Sequence, residues 1–164
     1  MVLSDIEAVE AAIRETWSTV PAPDLADVPH TDYWNDTTTR VFAGRAPLEV
    51  DIASGDFSAA EPLLDLPAAA AAAYVAPFLL ALLKELRFQL QFGIFTEIIT
   101  RAHTISALAD EQFQVDVVRG ALPPAAQNAV ARTAAVMIAH AEELAITPDN
   151  LARLGRLLDL GRDL

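Results

Sequence analysis

No cysteine occurs in these 164 residues. That absence excludes disulfide frameworks, zinc knuckles and thiol catalysis together. It also fits a reducing compartment, so a cytoplasmic location is expected. Glycine is scarce, with six residues scattered singly. No Gly-x-Gly-x-x-Gly run and no Walker loop is present, so no phosphate-cradling turn is expected. No Gly-x-Ser-x-Gly elbow is present to hold a nucleophilic serine. Histidine is limited to His30, His103 and His140, which leaves general acid–base chemistry few candidates beside carboxylates. The opening MVLSDIEAVE carries acids where a secretion signal needs a basic region and an apolar run.

Positive charge is short as well. Eleven basic residues stand against 23 acids, for a net charge of −12. The imbalance is uneven. Residues 1–65 hold three arginines (Arg14, Arg40, Arg45) against thirteen acids, while residues 66–164 hold eight basic residues against ten acids. Such a chain repels phosphate backbones and anionic membrane surfaces, so neither nucleic acid nor membrane is an expected partner. A basic protein would be attracted and steered in.

What the sequence has in quantity is apolar helix former. LPAAAAAAYVAPFLLALL, residues 66–83, runs eighteen residues without a charge. As a helix it would span roughly 27 Å, just short of a hydrocarbon core of about 30 Å. Eight of the eighteen are alanine and two are proline. The seven strongly apolar residues favour membrane insertion by only about 2–4 kcal/mol. Alanine instead lets neighbouring helices approach closely. The stretch therefore reads as the buried centre of a helical domain, with a membrane-inserting hairpin of 66–83 and 88–99 as the alternative.

Around this spine the pattern predicts further helices. Ser4 to Glu7 forms a capping box, followed by Ile6, Val9, Ile13, Trp17 and Val20 at helical spacing, stopped by Pro21 and Pro23. Residues 20–39 read as a loop, and Val41–Phe42 and Leu48–Ile52 as a small strand pair. The spine should run to about Arg87, bent near Pro77. Residues 86–92 alternate strictly yet keep Leu86 and Leu90 at helical spacing, so they lean helical. Residues 113–118 suit helix or strand. Helices then follow over 94–110, from Pro123-Pro124 to about Ala145, and from Thr147-Pro148 with Leu151, Leu154 and Leu158 inward. The expected fold is all-α: one domain over 1–164, a bundle of five or six helices around the alanine-rich one. Residues 1–65 form its acidic, loop-rich part and 66–164 its helical core.

Candidate chemistry is thin. Asp24, Asp27, His30, Asp32 and Asp36 fall within thirteen residues, but the spacing lacks the central glycine and terminal glutamate of a calcium loop. No Glu-x-x-His pair exists for a di-iron site; His140 and Glu143 share a face in reverse order, and Glu97 and His103 do not. On its apolar-striped helix, His103 reads as a partly buried, hydrogen-bonded histidine. No catalytic residue, metal or cofactor is therefore assigned. The stretch Thr31 to Asp36 sets Tyr33 and Trp34 among carboxylates, and such aromatics are favoured interface anchors. A Trp34 that instead closes over the core as a lid is the competing reading.

The run Val41-Phe42-Ala43-Gly44-Arg45, followed by Leu66-Pro67 and by Tyr74-Val75-Ala76-Pro77-Phe78-Leu79-Leu80, resembles a bacterial helical domain family of unknown function. Its members carry an aromatic two residues before Gly-Lys or Gly-Arg, then a Leu-Pro-Ala-Tyr-Leu run in an apolar helix. The likeness covers about residues 6–82. It departs at Pro47, near the family's usual tryptophan, and in the later proline, displaced by one residue. It implies a fold but transfers no activity.

The leading functional expectation is a non-enzymatic acidic module, of immunity type, that masks a basic surface on a protein partner. Asp24, Asp27, Asp32 and Asp36 would supply the field, with Tyr33 and Trp34 as anchor. An enzyme or small-ligand carrier, using a pocket lined by Tyr74, Phe78, Phe88, Phe92 and Phe95, is the alternative. At 53% hydrophobic residues, the helices also allow a homodimer.

Overall fold

The computed structural model describes residues 2–25, 40–52, 61–93 and 98–161. All regular structure among them is helical. In chain order the helices are α1 (Val2–Trp17), α2 (Pro62–Asp65), α3 (Ala68–Phe92), α4 (Ile98–Ala109), α5 (Glu111–Phe113), α6 (Pro124–Ala139) and α7 (Pro148–Gly155). Helix α5 runs on as a wide π turn over Gln114–Arg119, and α7 as a 3₁₀ segment over Arg156–Gly161.

The core is built on α3. Ala70, Ala71, Ala73, Tyr74, Val75, Ala76, Phe78, Leu79, Leu82, Leu83 and Leu86 are all buried. A helix apolar on every side has no face to give to water, so other elements must cover it. Helix α1 packs on it and on α6, α4 packs on it from another side, and the turn at 47–49 and the 114–119 segment complete the contact. By length and apolar composition α3 could cross a membrane, yet its most apolar window is 67% buried against the rest of the chain. Pro77 stands inside it, leaving the Ala73 carbonyl without its usual i+4 donor. One residue earlier, the Trp17 indole Nε1 donates to the Ala72 carbonyl at 3.1 Å, anchoring the end of α1 to the alanine run.

Helix α3 extends to Phe92, beyond the expected end near Arg87. The alternating 86–92 stretch is helix because a period of two also contains the i, i+4 repeat. Leu86 and Leu90 pack inward, while Phe88 and Phe92 meet outside at 4.8 Å between ring centroids. Gly93, at φ 71°, ends the helix by donating its amide to the Gln89 carbonyl at 2.7 Å. Glycine adopts that left-handed conformation at no steric cost.

Several sequence-based expectations need correction. Helix α1 already includes Val2, so Ser4 lies inside it rather than at a capping position. It also ends at Trp17, before the prolines, because a residue preceding proline avoids helical geometry. The strand pair near 41–52 is replaced by a helical turn at 40–42 and a 3₁₀ turn at Pro47–Glu49. The cause lies in the backbone carbonyls. Tyr74 donates its hydroxyl to those of Phe42 (2.7 Å) and Arg45 (2.9 Å). The Arg45 guanidinium donates to those of Val41 (2.8 Å) and Arg40. Carbonyls held this way are turned from any strand ladder. Phe42 then stacks beside Tyr74 and Phe78, with centroids 4.8 and 6.2 Å away.

Residues 113–118 are helical, opened by Asp110, whose side chain accepts from the Phe113 amide at 2.8 Å. Helix α6 stops at Ala139, short of Ala145. Thr147 caps α7, as the sequence suggests. Along α7 and its 3₁₀ extension the inward leucines are Leu154 and Leu157, while Leu158 is 37% exposed. The tail tightens to three residues per turn, which moves the buried position from i+4 to i+3.

Two outcomes test these points. Leu157→Ala should cost about 2–5 kcal/mol in urea unfolding, whereas Leu158→Ala should stay within about 0.5 kcal/mol. Burial pushes the Tyr74 phenol above its ordinary value, with the nearby Arg45 charge acting weakly the other way. The folded state therefore favours neutral Tyr74. Its contribution should hold below about pH 10 and fade as pH rises through the raised value. Ultraviolet titration should show one tyrosine ionising late.

Candidate functional site

Of the expected partner-binding residues, the structure places only Asp24, exposed on the irregular segment that follows α1. Asp27, Asp32, Tyr33, Trp34 and Asp36 lie outside the described residues, as does the competing lid role of Trp34. No group of three or more possible metal ligands occurs among the described residues. Among the described residues, the aromatics expected to line one pocket are not brought together. Tyr74 and Phe78 are fully buried against Phe42, so that volume is filled core. Phe88 and Phe92 are on the outside, and Phe95 is outside the described residues.

A different cleft of about 620 Å³ opens between α1, the 47–52 segment and α3. Its apolar walls include Leu48, Val50 and Ile52 on one side and Leu80 and Phe88 on the other. Its charged lining comprises Glu10, Arg14, Asp51, Lys84, Glu85 and Arg87. Size and mixed lining fall in the range of small-molecule sites.

One ion pair organises this cleft. Arg87 donates through Nε to Glu10 Oε1 at 2.8 Å and through Nη2 to Oε2 at 3.2 Å. The Glu10 side chain is only 10% exposed and that of Arg87 32%. The bond to Glu10 holds Arg87 more firmly protonated, against the effect of burial, with the Glu10 and Glu7 charges adding to it. A sequence signal for this pair existed. Glu10 sits in the α1 stripe of Ile6, Val9, Ile13 and Trp17, and a carboxylate on a buried face requires a cation. The identity of that cation, 77 residues away, carried no local mark.

The second buried polar contact joins His103 Nδ1 to Glu61 Oε2 at 3.0 Å, with His103 8% exposed. It ties the residue before α2 to α4. His140 and Glu143 share a face at 3.6 Å. Gln114, also buried, donates to the carbonyls of Leu108 (2.7 Å) and Arg153 (2.9 Å), joining α4 to α7. These contacts bind elements together and line no common cavity with the cleft.

No family model, curated protein or solved structure matches this chain.

Arg87→Gln should destabilise the protein by about 1–3 kcal/mol, because it strands a nearly buried carboxylate. Adding Glu10→Gln should recover part of that loss in urea unfolding. Full additivity of the two changes would show that the pair is uncoupled.

Proposed function

We propose that the chain is a non-enzymatic acidic binding protein that covers a basic surface on a protein partner, as immunity-type proteins do. The observation that carries this reading is the placement of negative charge. Of the nine described carboxylates in residues 1–65, only Glu10 turns inward. Asp5, Glu7, Glu15, Asp24, Glu49, Asp51, Glu61 and Asp65 are all exposed. Three arginines are too few to cancel the surplus of that half. Such a surface raises the encounter rate with a basic partner and repels acidic ones. Asp27, Asp32 and Asp36 extend the field, and Tyr33 and Trp34 serve as the desolvated anchor. In this reading the chain is one domain, a bundle of helices about α3, working in the cytoplasm.

The cleft supports a second reading, a carrier of a small ligand. It differs from the aromatic pocket the sequence suggests, since of the described aromatics expected there Phe88 alone lines it, and the facing wall comes from the 47–52 segment.

The first reading is tested with the immobilised protein and host extract. A specifically captured partner should be basic and should elute as ionic strength rises from about 0.05 to 0.5 M. Converting Asp24, Asp27, Asp32 and Asp36 to asparagine should slow association and flatten the salt dependence. Capture indifferent to both salt and these substitutions would refute an electrostatic interface.

A further inference from the structure

We infer that the cleft between α1, the 47–52 segment and α3 takes an aliphatic carboxylate, its chain along the apolar walls and its head on Arg14 and Lys84. This inference rests on the carrier reading and names its ligand.

The geometry begins with the direction of the helices. Trp17 near the end of α1 bonds Ala72 near the start of α3, while Glu10 earlier in α1 bonds Arg87 late in α3. The two helices therefore run antiparallel. Arg14 lies four residues from Glu10 towards Trp17, and Lys84 three residues from Arg87 towards Ala72. Each step is about one turn, roughly 4.5–6 Å, in the same direction, and each keeps the residue on its partner's face. Arg14 and Lys84 thus form the next charged layer beyond the Glu10–Arg87 pair, and both line the cleft.

That layer is cationic in a chain short of cations; Lys84 is the sole lysine. Among the described residues neither Arg14 nor Lys84 makes a hydrogen bond or ion pair. Glu10 gives both oxygens to Arg87, and Asp51 and Glu85 each hold an interaction of their own. Two cations side by side repel each other, and a bound carboxylate relieves that repulsion while accepting from both. The chain's net −12 opposes an anion at long range. That field is screened within about 8 Å at physiological ionic strength, whereas the head group would touch its cations.

An apolar body is equally provided for. Leu48, Val50 and Ile52 face Leu80 and Phe88 across the cleft, and Phe88 is 38% exposed. Burial of each methylene contributes roughly 0.8 kcal/mol, so a chain of several carbons should bind and acetate should not.

The test is calorimetric titration of the full chain with octanoate, octanol, octyltrimethylammonium and acetate. Octanoate should bind most tightly of the four. Arg14→Gln and Lys84→Gln are surface substitutions and should leave the circular dichroism unchanged. Each should weaken octanoate by about 3- to 10-fold and leave octanol unaffected. Leu80→Asn should weaken octanoate and octanol alike. If octanol or the ammonium probe binds as tightly as octanoate, or if both glutamine variants bind octanoate normally, the anion assignment is wrong and the carrier reading survives. If no probe binds, both are wrong.

Discussion

From Ala70 to Leu83 helix α3 carries no charge and is buried on nearly every side, and much of the rest of this protein follows from the need to cover it. Along its first half the alanines present a thin surface, so α1 can come close enough for the Trp17 indole to reach a backbone carbonyl of α3. Along its second half leucines replace alanine and fill the wider space themselves. The neighbouring helices supply stripes of complementary bulk: Ile6, Val9 and Ile13 from α1, Val130 and Met137 from α6, Leu108 from α4. Close packing of this kind tolerates few voids, and the buried aromatics Phe42, Tyr74 and Phe78 close the centre.

Covering α3 brings polar groups inward, and several are met by specific partners. Glu10 meets Arg87, His103 meets Glu61, and Gln114 meets two carbonyls. Tyr74 shows the same logic from the opposite direction. Its ring belongs to the core, yet its hydroxyl needs an acceptor, and it finds two in the turn that holds Gly44, at φ 72°. That turn is pinned to α3 as a result. The 47–52 segment that follows packs on α3 only in part, and the open remainder is the cleft.

Charge is distributed by the same constraint. The buried helices leave little room for ionised groups, so among the described acids of residues 1–65 all but Glu10 stay outside. The exposed carboxylates among the described residues of 1–65 and the cleft lined by Arg14 and Lys84 are two distinct surfaces. Both follow from where side chains are left once α3 is enclosed.

Much of this was legible in the chain itself. The all-helical class, the central place of the alanine-rich segment and the Thr147 cap depend on local propensity and periodicity, which neighbouring residues carry. Elements decided by distant contacts were not legible. Residues 41–52 have the composition of strands, and a hydroxyl on Tyr74, about thirty residues on, turns their carbonyls away from a ladder. The leucines after α7 show an i, i+4 pattern, and packing against α6 tightens the turn so that Leu157 rather than Leu158 is buried. Most clearly, composition marks Glu10 as needing a cation and leaves Arg14 and Lys84 as unremarkable surface charges. Only the antiparallel pairing of α1 with α3 brings Arg87 to Glu10 and sets the other two cations level across one cleft, because side-chain neighbours far apart in sequence are chosen by packing and not by spacing.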